Sequence, residues 1–174
     1  MRVESEKTND PRIAKKPEQI EGRVSGKAPF GQLPLLEVDG TVLAQSFSIM
    51  RYVANEVGLA PSTNLQKAQA DMIVDGCTDL AELVEQAKAA TPTHLKFLED
   101  ILATNNGGKG FFVGDKLSHA DIAMFNLLNY AFAHGKQVVP DEVKHFPLLA
   151  GHCARIMNIP NIKKWLEERP ETAM

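Results

Sequence analysis

The stretch GQLPLLEVDGTVLAQS, residues 31–46, places two chemically able groups at the two ends of one hairpin. At one end stands Pro34, which has no N–H to give to a ladder and is confined to strand starts, edges and bulges. If the Leu33–Pro34 bond is cis, the chain turns sharply and offers the N–H and C=O of Leu33 to an extended peptide, which pairs with them like an added strand. If the bond is trans, the commoner state, Pro34 only opens an edge strand. At the other end, Gln45 and Ser46 stand where a helix begins. A serine there can simply cap the helix. The same helix end carries unpaired N–H groups and a partial positive charge, so it can also hold a carboxylate. Together the two ends suit a small peptide better than either does alone.

Other reactive side chains have plainer readings. Ser118 and Asp121, in Ser-His-Ala-Asp, form a capping box with Asp in place of Glu, flanked by Leu117 and Ile122 at the staple positions. That role is structural, and it makes His119 an exposed first-turn residue. The five histidines have no metal-ligand spacing. Cys77 falls on an apolar stripe and Cys153 in a helix, so both read as packed thiols. Trp165 and Phe146 read as core. Asp79, on residues alone, is part of a solvated helix face.

The elements that must position these groups follow from period and punctuation. Residues 1–28 are polar and broken by Pro11, Pro17, Gly22 and Gly26, with at most a short strand at Arg12-Ile13. Leu36 and Val38 share a face, and Asp39-Gly40 is a strong two-residue hairpin turn before Val42. The period then lengthens. Ile49, Val53 and Val57 predict a helix from Ser46 to about Val57, closed by Gly58. GLAPSTN, residues 58–64, is a linker in composition. Helical stripes follow: Ile73, Cys77, Leu80, Val84 and Ala87; then Leu95, Leu98 and Ile101/Leu102, ended by Asn105-Asn106-Gly107-Gly108; then Ile122, Phe125, Leu128 and Phe132. Two further helices are predicted at about 147–157 and 161–168, with Pro147 in a first turn and Pro170 as a stop.

A length of 174 residues allows one large domain or two small ones. The net charge of −3 is spread over interspersed residues, which argues against nucleic acid, because phosphate binding needs a concentrated basic face. No apolar run is long enough to span a bilayer, and no signal segment opens the chain. Two cysteines in such a chain suit a reducing cytosol.

PFGQLPLLEVDG followed by LAQSFSIMRYVANEVGL resembles the second half of the thioredoxin-like domain of the cytosolic glutathione S-transferases, sigma class. KAQADMIVDGCTDL, FFVGDKLSHADIAMFNLL and IPNIKKWLEERPETAM resemble successive parts of that family's helical domain. The class also includes glutathione-dependent prostaglandin D synthase and the S-crystallins. The resemblance implies an α/β thioredoxin-like domain over 1–58, incomplete in its first strand and helix, and an all-α domain over 65–174. It also implies roles. Leu33, before a cis Pro34, would pair with the cysteinyl unit of glutathione. Gln45 and Ser46 would hold the γ-glutamyl carboxylate, Gln32 would stand near the ligand, and Asp79 would reach the γ-glutamyl amine across a dimer. Glutathione would be the co-substrate, with no metal, and a small electrophile the second substrate, in a cytoplasmic homodimer without nucleic-acid or membrane partners.

The same resemblance sets expectations about what is missing. The family's first strand carries a tyrosine that stabilises the glutathione thiolate. Tyr52 matches a packing residue instead, and Tyr130 lies in the helical half. Between Leu83 and Phe97 the family's helix end and loop are compressed into VEQAKAATPTHLK. Two functions follow as expectations: glutathione conjugation to electrophiles, or a catalytically inactive glutathione-binding or crystallin-like structural protein.

Overall fold

A computed structural model describes residues 29–30, 33–85, 90–131 and 141–169. The chain separates into two compact units, 1–58 and 59–174.

In the first unit, strands β1 (Leu35–Val38) and β2 (Thr41–Ala44) form an antiparallel pair. Its register runs from Leu35 opposite Ala44 to Val38 opposite Thr41. Asp39 and Gly40 both have positive φ, 49° and 77°. Two consecutive left-handed residues give the turn whose twist matches that of the strands it joins. Leu36 is buried and Glu37 is exposed, as the alternation requires. Helix α1 (Ser46–Glu56) follows directly, burying Ile49 and Ala54 and leaving its first turn exposed. It ends at Val57, whose N–H donates to Val53 O, and Gly58 turns the chain away with φ 73°.

The second unit is helical: α2 (Asn64–Glu85), α3 (Thr91–Thr104), α4 (His119–Ala131), α5 (Pro147–Met157) and α6 (Pro160–Glu168). Ile73, Cys77 and Leu80 of α2, Leu95, Leu98 and Leu102 of α3, and Phe125 and Leu128 of α4 are buried, as their spacing predicts. Val84, Ala87 and Phe132 belong to the same stripes but have side chains outside the described residues. A short 3-10 turn, Asn106–Gly108, closes α3 at the Asn-Asn-Gly-Gly run. Phe125, Cys153, Ile156 and Leu166 gather α4, α5 and α6 into one apolar cluster, with Phe111, Leu117 and Ile162 against its edge. No described helix is long and apolar enough to cross a membrane.

Two sequence expectations fail here. His119 is 4% exposed, because α4 starts against α2: its backbone N–H donates to Leu59 O at 3.0 Å, and its Nε2 lies 3.5 Å from Asp71 Oδ1. Trp165 is 55% exposed, because in α6 it is the adjacent Leu166 that turns inward.

Candidate functional site

Leu33, Pro34, Gln45 and Ser46 belong to the first unit, and Asp79, Ser118 and Asp121 to the second. Gln32 lies outside the described residues.

The Leu33–Pro34 bond is cis. Since Leu35 pairs with Ala44, the residues just before Leu35 and those just after Ala44 leave the sheet at the same end. The hairpin thus brings both ends of the stretch to one end of the sheet. Leu33 is exposed there, and so are Gln45, Ser46, Phe47 and Ser48.

Helix α1 begins one position earlier than plain capping by Ser46 would require. Gln45 occupies the N-cap position and Ser46 the first helical one. The first intrahelical bond runs from Ile49 N–H to Gln45 O at 3.0 Å. The N–H groups of Ser46, Phe47 and Ser48 therefore have no partner within the helix. The first turn contains no acidic residue and the N-cap side chain makes no capping bond, so nothing in the helix itself neutralises that end. Gln45 has φ 71° and ψ 116°, a region that a residue with a Cβ avoids. Such a conformation costs about 1–3 kcal/mol and is concentrated at functional sites. Exposed donors, a serine hydroxyl and a strained residue thus converge beside an exposed strand end. The arrangement suits an extended ligand carrying a carboxylate.

Ser118 and Asp121 do different work. Asp121 is fully buried and its carboxylate is saturated. Oδ2 accepts from Ser118 N–H and from Ser118 Oγ–H, each at 2.8 Å. Oδ1 accepts from Phe112 N–H at 2.8 Å and faces His152 Nε2 at 2.9 Å. This is the carboxylate half of a capping box, extended to a loop and to α5. The partners from Phe112 and His152 go beyond what Ser-x-x-Asp predicts. Asp121 ties the start of α4 to the 111–118 segment and to α5, which is a structural task.

Two more polar residues brace the same region. Glu99, largely buried on α3, accepts from Leu148 N–H at 3.4 Å and Leu149 N–H at 3.3 Å, so it caps α5 from another helix. Arg155 donates to Gly108 O at 2.8 Å and Gly110 O at 2.9 Å. The only sequence signal for Glu99 and His152 is a polar residue standing on an apolar stripe, between Leu95 and Leu102 and between Leu149 and Ile156.

Asp79 is exposed on α2. With Asp71 and Asp75 it lines a groove of about 610 Å³ between α2 and α3, whose other walls include Met72, Phe97 and Leu98. Burial pushes the Cys77 thiol up to about 12 and the Cys153 thiol up to about 11. Neither can be a thiolate nucleophile near neutral pH. Among the described residues, no cluster of three or more His, Cys, Asp or Glu side chains is placed to hold a metal.

Comparison with known proteins accounts for both units. Residues 24–55 match the glutathione S-transferase N-terminal domain, and residues 66–169 match the C-terminal domain. Glutathione S-transferase 1 of Ascaris suum is 38% identical over 166 residues, covering 84% of this chain and 78% of that protein. Hematopoietic prostaglandin D synthase of Gallus gallus is 33% identical over 167 residues, covering 87% and 80%. Among solved structures, a glutathione S-transferase from Ascaris lumbricoides superposes with a TM-score of 0.73 at 32% identity, over 92% of this chain and 87% of that one. A monomeric glutathione S-transferase from the hookworm Necator americanus gives 0.76 at 27% identity, over 93% and 85%. Among the described residues a short thioredoxin-like sheet is followed by a helical half, as in this family's fold, and the chain belongs to the glutathione S-transferase family.

Proposed function

We propose that the chain binds glutathione at the end of its hairpin and conjugates the glutathione thiolate to small electrophiles. In this reading residues 1–58 form the glutathione-binding domain and 65–174 the helical domain. Leu33 pairs through its backbone with the cysteinyl unit, and Pro34 sets the turn that presents it. Gln45 and Ser46 hold the γ-glutamyl carboxylate, and Gln32 stands beside the ligand. Ser118 and Asp121 keep the helical half folded and touch no ligand.

The observation that carries the reading is the positive-φ backbone of Gln45 at an exposed helix start, at the end of the hairpin that the chain enters through the cis Leu33–Pro34 bond. Strain of this kind survives only where a structure holds it in place, and a carboxylate bound to the adjacent N–H groups gives it a purpose.

We further propose the sigma class, the class that the run from Pro29 to Leu59 resembles, and a detoxifying role in the cytoplasm. Two buried, unpaired cysteines support a reducing compartment. We also propose a homodimer in which the groove between α2 and α3 faces the partner subunit and Asp79 extends to the γ-glutamyl amine bound there. An exposed carboxylate on a half-apolar groove supports this contact: the apolar wall rewards burial and the charge meets an ammonium group.

The chemistry requires a thiol with a pKa of about 8.5 to be ionised, so turnover is the quantity to measure. Glutathione and a chromogenic aryl halide should react faster with the purified chain than in buffer. A rate equal to buffer removes the conjugation reading. If calorimetry then still detects glutathione, the inactive binding reading stands. If it detects none, the site assignment fails as well.

A further inference from the structure

We draw no further inference here: the strongest candidate, the acid-lined groove between α2 and α3 that holds Asp71, Asp75 and Asp79, belongs to the subunit contact already proposed, and no second observation among the described residues points to a ligand of its own.

Discussion

Replacing Asp121 by alanine tests the central brace of the helical unit. The carboxylate satisfies Phe112 N–H, Ser118 N–H, Ser118 Oγ–H and His152 Nε2 at 2.8–2.9 Å, and all four partners are buried. The hydroxyl can rotate towards another acceptor; the two backbone N–H groups and the imidazole cannot. A stranded buried donor costs about 1–3 kcal/mol. Three of them give about 3 kcal/mol at the low end, well above the roughly 1 kcal/mol lost with an ordinary cap. Contributions within one network are not additive, so the low end is the safer figure. At about 4 °C per kcal/mol for a unit of this size, the melting temperature should fall by about 12 °C. Urea unfolding followed by far-ultraviolet circular dichroism reads the loss directly, provided the slope with denaturant stays unchanged. Below the new midpoint, glutathione affinity should equal that of the parent, because Asp121 touches no ligand in the proposed site. A double-mutant cycle with His152→Leu should give a coupling of at least about 1 kcal/mol. A destabilisation under about 1.5 kcal/mol at unchanged slope would refute the brace. Lost glutathione binding at an unchanged melting temperature would refute its purely structural role.

The glutathione site and the buried thiols give further expectations. Ser46→Ala should weaken glutathione by about 1–3 kcal/mol in calorimetry, the cost of losing a hydrogen bond to a charged group; unchanged affinity would place the carboxylate elsewhere. Gln45→Gly should relieve the left-handed strain and stabilise the fold by about 1 kcal/mol while weakening glutathione, a trade expected of a residue strained for function; a loss of stability would show that the conformation is not strained. Cys77 and Cys153 titrate above the ordinary 9.0 in the folded protein, at about 12 and about 11, so their contribution is complete below 9.0 and is lost as pH rises through that window. Each thiol should lower stability by up to about 1.4 kcal/mol per pH unit there, and a urea midpoint that falls equally in the parent and in a Cys77→Ala, Cys153→Ala variant would contradict this.

The parts of this protein that were legible in its sequence are those whose causes are local. Asp39-Gly40 is readable because two left-handed residues in a row are tolerated by few residue pairs, and the structure places both at positive φ. The α2 and α3 stripes are readable because a helix repeats its inward face every three or four residues, and Ile73, Cys77, Leu80, Leu95, Leu98 and Leu102 all turn inward. Ser-His-Ala-Asp marked the start of α4 for the same reason, since a cap closes within one turn. What the pattern could not reveal depends on partners far along the chain. His152 meets Asp121 across 31 residues, and Glu99 meets Leu148 across 49. A polar residue on an apolar stripe announces that it needs a partner, not which one. His119 failed for a related reason: first-turn position suggests solvent, but the packing of α4 on α2 decides its burial. At the candidate site the change of period put the helix start at Ser46, where the structure has it, but gave no sign that Gln45 at its N-cap would take φ 71°. Propensity alone would never choose a glutamine for that conformation, because glycine or asparagine bears it at less cost. The disagreement between local preference and observed backbone falls at the same end of the hairpin as Leu33–Pro34. Local rules tend to fail where something other than folding selected the residue, and that is the ground for proposing a ligand carboxylate at the first turn of α1.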